Sequence, residues 1–314
     1  MAQPQTSTGI EYQPTLKLER WKGMIMVLIG AILWGVSGTA AQVLFQNNGF
    51  QPAWLVTVRM GLSGLILVLF SMIGAGTQKT FVIWKRPKDV LYLVVFAVIG
   101  LIGVQYSFFV TIALSNAATA TILQYLGPVA ITLYLALRLR RMPNRWESLA
   151  VVLAFVGTCL LITDGRWNAI SISPGAVSWG LISALALAFY TMFPQKLIKQ
   201  YGSAIIVGWA MLIGSVLLSF VTHPWRLQGT WSYWALELVT FVVLFGTLVA
   251  FYLYLESLRY ITPSETSLLG CAEPLSSAFV AMMFLHVRLG LIAWIGAFCI
   301  LATVVILSRK SAGR

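Results

Sequence analysis

The sequence predicts an all-α integral membrane protein: ten transmembrane helices as two inverted five-helix repeats. Three observations carry that expectation. Of 314 residues, 59% are hydrophobic and only 10% charged, and the apolar residues come in blocks that reach the roughly 20 residues a helix needs to cross a bilayer. Basic residues alternate with those blocks, crowding one set of connections and nearly avoiding the other. Two prolines, Pro128 and Pro274, sit near the middle of long apolar segments at corresponding places in the two halves.

The elements follow in order. Residues 1–20 form a polar tail, read as mobile. The first apolar block, 22–44, is too long for a signal-peptide core and lacks a small-residue cleavage site after it, so it stays as a span. Further spans are expected at 53–74, 90–111, 115–137 and 147–163, completing a first repeat over 21–163. A second repeat over 174–308 holds spans at 174–194, 204–222, 231–254, 263–285 and 289–308, before a short tail at 309–314. No soluble domain fits between them. With the N-terminus inside, the inner tails and loops carry seventeen Lys and Arg residues, and the outer loops carry three, Arg166, Arg226 and Arg288. That positive-inside bias places both termini in the cytoplasm of a multi-pass cell-membrane protein. It also explains the net charge of +12 without nucleic acid.

Sliding the chain on itself by 146 residues lays Pro128 on Pro274, Leu123 on Leu269 and Thr121 on Ser267. Near a shift of 152 or 153, the first span and its turn fall over the sixth. Five spans per half is an odd number, so the second half is inverted, with a pseudo-two-fold axis in the membrane plane. Each proline removes a backbone donor and pushes away the carbonyl four residues earlier, Gln124 or Gly270. Hydrocarbon does not tolerate exposed backbone, so the breaks belong beside a protein-lined cavity. Matched breaks in two halves point to a transport site.

The candidate chemistry lies near those breaks. Glu273 precedes Pro274 mid-span, where an acidic residue costs about 3 kcal/mol to insert. Thr266, Gly270, Glu273 and Ser277 follow at helical spacing and share one small, polar face; Ala120, Gln124, Gly127 and Ile131 form the matching stripe. Glu273 reads as a counter-ion for a substrate amine or as a proton carrier; the structural alternative is a protonated acid bonded to freed carbonyls. Gln124 reads equally well as a ligand or as interhelical glue. Among the aromatics, Trp34 (with Ser37, Gly38 and Gln42), Tyr106 beside Gln105, Tyr125, Tyr190 and Tyr252 are placed to line a cavity, where rings could hold a cation. Arg59 and Glu237 each lie about two turns from the outer end of their spans. They are candidates for an ion pair, with headgroup snorkelling or an outer gate as the other readings. Cys159, Cys271 and Cys299 read as buried packers. The four-residue steps Gly30, Trp34, Gly38 and Ala150, Ala154, Thr158 read as close helix packing.

The AILWGVSG run, Arg59, TATILQYLGPV and ESLRYITPSETSLLGCAEPLSS together make the chain resemble the EamA type of the drug/metabolite transporter superfamily. The resemblance implies ten helices in two inverted repeats, a central cavity, and transport, often export, of amino acids, amines or other small metabolites. Many members carry a glutamate soon after the fourth and ninth helices; here those places read RLRRMPNRWE, with Glu147 late, and HVRLG, with none. No role is carried over for it.

Other classes find less support. There is no GxxxxGK[ST] phosphate cradle, no GxSxG turn, and no His/Cys/carboxylate cluster at metal-ligand spacing, the two histidines, His223 and His286, lying near outer span ends. No cofactor is expected and no enzymatic activity. The expectation is a secondary transporter working by alternating access, proton-coupled or facilitative, with lipid and a small-molecule substrate as partners. Export of an amino acid or amine leads; uptake of a choline-like amine is the alternative. A channel and an intramembrane enzyme are the weaker rivals.

Overall fold

The computed structural model describes residues 14–138, 144–166, 173–285 and 290–310. The start of the tail, the basic run 139–143, the segment carrying His286 and Arg288, and the last four residues lie outside them. Every regular element among the described residues is helical. Helix α1 spans Pro14–Gln46, α2 Pro52–Ala75 and the short α3 Thr77–Phe81; α4, Pro87–Val95, runs through a π-helical stretch, Phe96–Ile102, into α5, Gly103–Leu114. Then come α6 Ala117–Gln124, α7 Leu126–Arg138, α8 Arg145–Thr163, α9 Pro174–Met192, α10 Gln195–Tyr201 and α11 Ser203–Thr222. Helix α12, Tyr233–Val243, passes through a second π-helical stretch, Leu244–Val249, into α13, Ala250–Ser257. The chain continues as α14 Pro263–Leu269, α15 Ala272–Leu285 and α16 Leu291–Lys310.

Local chemistry sets these boundaries. Pro52, Pro87, Pro174 and Pro263 occupy first helical turns, where a missing N–H costs nothing. Side chains of Asn116, Ser173 and Ser232 cap α6, α9 and α12 by accepting from Thr119, Ala176 and Ala235 N–H groups. Thr262 and Glu265 form a reciprocal capping box on α14. Helix α1 begins inside the stretch read as a mobile tail. Arg20 pairs with Glu265 and Lys22 lies over the Tyr260 ring, so the start of α1 is tied to the α13–α14 connection.

Among the described residues, six helical segments are long and apolar enough to cross a membrane: Glu19–Gln46, Pro52–Ala75, Pro87–Leu114, Pro174–Tyr201, Ser203–Thr222 and Tyr233–Ser257. Of the other four expected segments, two give the shorter apolar stretches Ser148–Leu161 and Leu291–Thr303. The remaining two are the broken pairs α6/α7 and α14/α15.

Close packing joins the helices in pairs. Helix α2 lies along α11 and α8 along α16; α1 lies against α13 and α15, and α9 against α5, α6 and α7. A Cβ on Gly64 would fall 2.9 Å from the Gly208 carbonyl oxygen, and one on Gly157 at 2.9 Å from that of Gly296. Both approaches therefore require the absence of a side chain, the usual device where apolar collapse gives helices no reason to associate in lipid. Large apolar side chains such as Phe70, Ile73, Phe220 and Phe298 point outward from the bundle, a surface suited to hydrocarbon. The cysteines are free thiols, two buried and Cys299 partly so.

Candidate functional site

The site is built on the two helix breaks. Proline at 128 and 274 denies each helix one donor, and the chain interrupts just before both: at Tyr125, between α6 and α7, and at Gly270–Cys271, between α14 and α15. The freed Gly270 carbonyl accepts from the Glu273 N–H at 2.9 Å and from the Tyr125 hydroxyl. The two breaks thus touch, and each completes part of the other's polar inventory. At the first break the Gln124 amide donates to Ser183 Oγ on α9 at 2.6 Å.

Beside this junction is a small cavity of about 40 Å³. Helix α1 lines it with Trp34, Ser37 and Gly38, α2 with Arg59, and α5 with Val104, Gln105, Phe108 and Phe109. Gln124 comes from α6, Leu187 and Tyr190 from α9, Phe251 from α13 and Glu273 from α15. Rings close one side: Trp34 lies 4.9 Å from Phe251 and 4.8 Å from Tyr254, and Tyr190 stacks at 5.7 Å on Tyr254. The Tyr254 hydroxyl shares a 3.1 Å hydrogen bond with Thr191.

The polar groups of this cavity are under-satisfied. Glu273 is 6% exposed and Arg59 3%, yet neither side chain has a hydrogen-bond or ion-pair partner among the described residues. The Arg59 guanidinium instead lies 3.8 Å from the centre of the Phe109 ring, an attraction between cation and ring face. Both amide atoms of Gln105, the Trp34 indole nitrogen and the Tyr190 hydroxyl are buried without partners. Buried polar groups are normally paired, so the arrangement is one that a polar ligand would complete.

The sequence-predicted residues divide accordingly. Trp34, Gln124, Tyr190 and Glu273 face the cavity together, while Tyr125 and Gly270 form the junction at its edge. Ser277 does not line it; its hydroxyl meets that of Thr39 at 3.0 Å and ties α15 to α1. The continuous stripe expected from Thr266 to Ser277 is absent because the break at Gly270–Cys271 changes the helical phase, leaving Thr266 near Ser257 instead. Tyr252 is half-buried outside the lining, and its neighbour Phe251 takes the place expected for it. Tyr106 likewise packs on Trp179 at 5.5 Å while Gln105 faces inward. Gln42 accepts from the Ala117 N–H at 2.9 Å and so helps hold the start of α6.

Arg59 and Glu237 form no ion pair: Glu237 is exposed, and Arg59 turns into the cavity. Gln105, Phe108 and Phe109 are the main lining residues that the sequence reading missed. A usable signal was present, since Val104/Phe108 and Gln105/Phe109 are four residues apart and put an amide beside two rings on one face of α5.

Comparison with known proteins agrees with this architecture. The model of the EamA-like transporter family matches twice, over residues 21–163 and 174–309. An uncharacterized inner membrane transporter of Salmonella typhimurium, YicL, is 40% identical over 297 residues, covering 93% of this chain and 97% of the relative. The threonine/homoserine exporter RhtA of the same species is 23% identical, with 86% of each chain covered. A solved crystal structure at 16% identity superposes with a TM-score of 0.70 over 94% of this chain and 98% of its own, which speaks to fold alone. The chain is a membrane transporter and belongs to the EamA-like transporter family, in the drug/metabolite transporter superfamily.

Proposed function

We propose that the chain is a secondary transporter that exports a small metabolite, an amino acid or amine, across the cytoplasmic membrane by alternating access. The observation that carries this reading is the Glu273 carboxylate, buried and partnerless in a central cavity at the point where the two helix breaks meet. An ionisable group in that position is expensive and is retained for a substrate or for a coupling proton.

The wider architecture supports the mechanism. Taking the chain as ten spans, exchanging each span with the one five places on leaves the packing pairs unchanged: α2 with α11, α8 with α16, and α1 against α13 and α15 as α9 is against α5 and α6/α7. The two π-helical stretches, Phe96–Ile102 and Leu244–Val249, fall in the third span of each half, and the helix breaks in the fourth. That arrangement supports a reading as two inverted repeats, 21–163 and 174–308, flanked by tails 1–20 and 309–314. Such a pair exchanges access by rocking about a fixed central site. The basic inner connections support a cytoplasmic position for both termini. The name of the relative RhtA, an exporter of threonine and homoserine, favours amino acids as cargo and export as direction. Trp34, Tyr190 and Phe251 beside Glu273 also suit a choline-like cation, but the Arg59 charge in the same cavity opposes it.

The test is counterflow in proteoliposomes holding the purified chain, preloaded in turn with amino acids and amines and assayed at two pH values. Saturable exchange of at least one compound is expected. Flux that never saturates and shows no counterflow would replace the carrier with a channel.

A further inference from the structure

Arg59 is unusual among the basic residues of this chain. The others fall in the tails, in the connections or at the ends of helices, whereas Arg59 lies inside the long apolar α2 and is 3% exposed. A guanidinium cannot shed its charge under ordinary conditions, and burying it without an anion leaves desolvation unrepaid. The face of Phe109 contributes part of the compensation but accepts no hydrogen bond. One turn from Phe109 on the same face of α5, Gln105 is 1% exposed with both amide atoms unpaired. Glu273 lines the same cavity, yet no ion pair joins it to Arg59 among the described residues. One cavity therefore holds a cation and an anion that are separately unsatisfied.

We propose that Arg59 and Gln105 form a carboxylate-binding subsite, so that the cavity selects a zwitterion whose carboxylate lies on Arg59 and whose ammonium lies toward Glu273. The proposal rests on the carrier reading above and narrows it: a bare amine would satisfy Glu273 but leave Arg59 unpaired and repelled, and a simple carboxylic acid would do the reverse. The planar guanidinium suits a carboxylate because it can donate two parallel hydrogen bonds. Contact with the Phe109 ring uses no N–H donor, which leaves the fork available for the ligand.

The test measures ligand-induced thermal stabilisation of the purified full-length protein, and counterflow, with three matched series: phenylalanine, phenethylamine and phenylalaninamide; leucine, isoamylamine and leucinamide; threonine, 1-amino-2-propanol and threoninamide. In the wild-type protein, at least one amino acid should bind roughly 10- to 100-fold more tightly than its amine and amide, the ratio expected for a charge-assisted pair. Arg59→Gln should lower affinity for that amino acid to the level of its amine. Gln105→Leu, close in volume, should weaken only the amino acid, by roughly 3- to 10-fold. Equal affinity for acid and amine in the wild-type protein would overturn the subsite while leaving the carrier intact. So would unchanged discrimination in a folded Arg59→Gln protein. Should that variant fail to fold, the wild-type ratios and Gln105→Leu decide the matter. If no compound of any series binds or exchanges, the amino acid or amine carrier reading itself falls, and the subsite with it.

Discussion

The two helix breaks have the same cause and different outcomes. At Pro128 the polar side chain beside the break is an amide, and Gln124 is already spent on Ser183 of α9 at 2.6 Å. At Pro274 it is a carboxylate, and Glu273 has no partner among the described residues. Even the backbone differs: the first break contributes the Tyr125 hydroxyl that satisfies the Gly270 carbonyl at the second. One break is closed by its own neighbours and serves as support. The other is closed by its counterpart and holds a reactive group toward the cavity. The two breaks therefore share a place in their halves, and the difference between them singles out Glu273 as the candidate group.

The strongest test of that contrast makes the breaks alike. Glu273→Gln puts amides at both and preserves shape, so expression and folding should hold while transport falls by an order of magnitude or more, or loses its dependence on pH. Counterflow at several pH values checks this, and wild-type transport throughout would remove Glu273 from the mechanism. A second comparison concerns packing. A Cβ on Gly35 of α1 would collide with Ser276 Oγ and the Glu273 carbonyl oxygen, whereas one on Gly127 would meet the Ala184 carbonyl oxygen and Leu187 at 3.1 Å, tight but relieved by a shift of a few tenths of an ångström. Gly35→Ala should therefore cost about 1–3 kcal/mol, the range for overpacking, and Gly127→Ala less. Melting curves in one detergent would rank them, and the reverse order would mean that the first break is the tighter. Tyr125→Phe then tests the bridge between breaks. It removes one of the two donors to the Gly270 carbonyl, which keeps the Glu273 N–H, and should cost about 0.5–1.5 kcal/mol; no change in melting would show that the contact is incidental.

Much of this contrast was legible before any coordinates. Proline chemistry located both breaks to within four residues, and Trp34, Gln124, Tyr190 and Glu273 were drawn to one place by residue type and depth alone. What escaped was helical phase. Tyr106 was named with Gln105 only as its neighbour, and Tyr252 was named without Phe251, and both positions fall just after π-helical stretches, Phe96–Ile102 and Leu244–Val249. A π-helical turn takes up an extra residue, so side chains beyond it emerge on a different face from the one α-helical counting assigns. Ser277 failed for the related reason that a break resets the count. Arg59 failed differently: its place inside a long apolar helix was legible, but whether it turns toward Glu237 or inward is decided by the packing of α2 on α5 and α11, which no local pattern contains.

The smallest expected effect is the most discriminating for the supporting role of the first break. Ser183→Ala removes the hydroxyl that receives the Gln124 amide and changes little else, since Ser183 is fully buried in α9. If Gln124 is structural glue, its amide is left unpaired and the protein should lose about 1 kcal/mol, the ordinary worth of such a bond. Because Gln124 also borders the cavity, the freed amide has a second course open to it: it can turn toward a ligand. Stability and substrate affinity then separate the roles. A drop in melting temperature with unchanged affinity assigns Gln124 to the scaffold, and a smaller drop with altered affinity assigns it to the site. Either result fixes how far the division between the two breaks extends, because an amide that serves only when released from Ser183 would make the first break a latent counterpart of the second rather than its support.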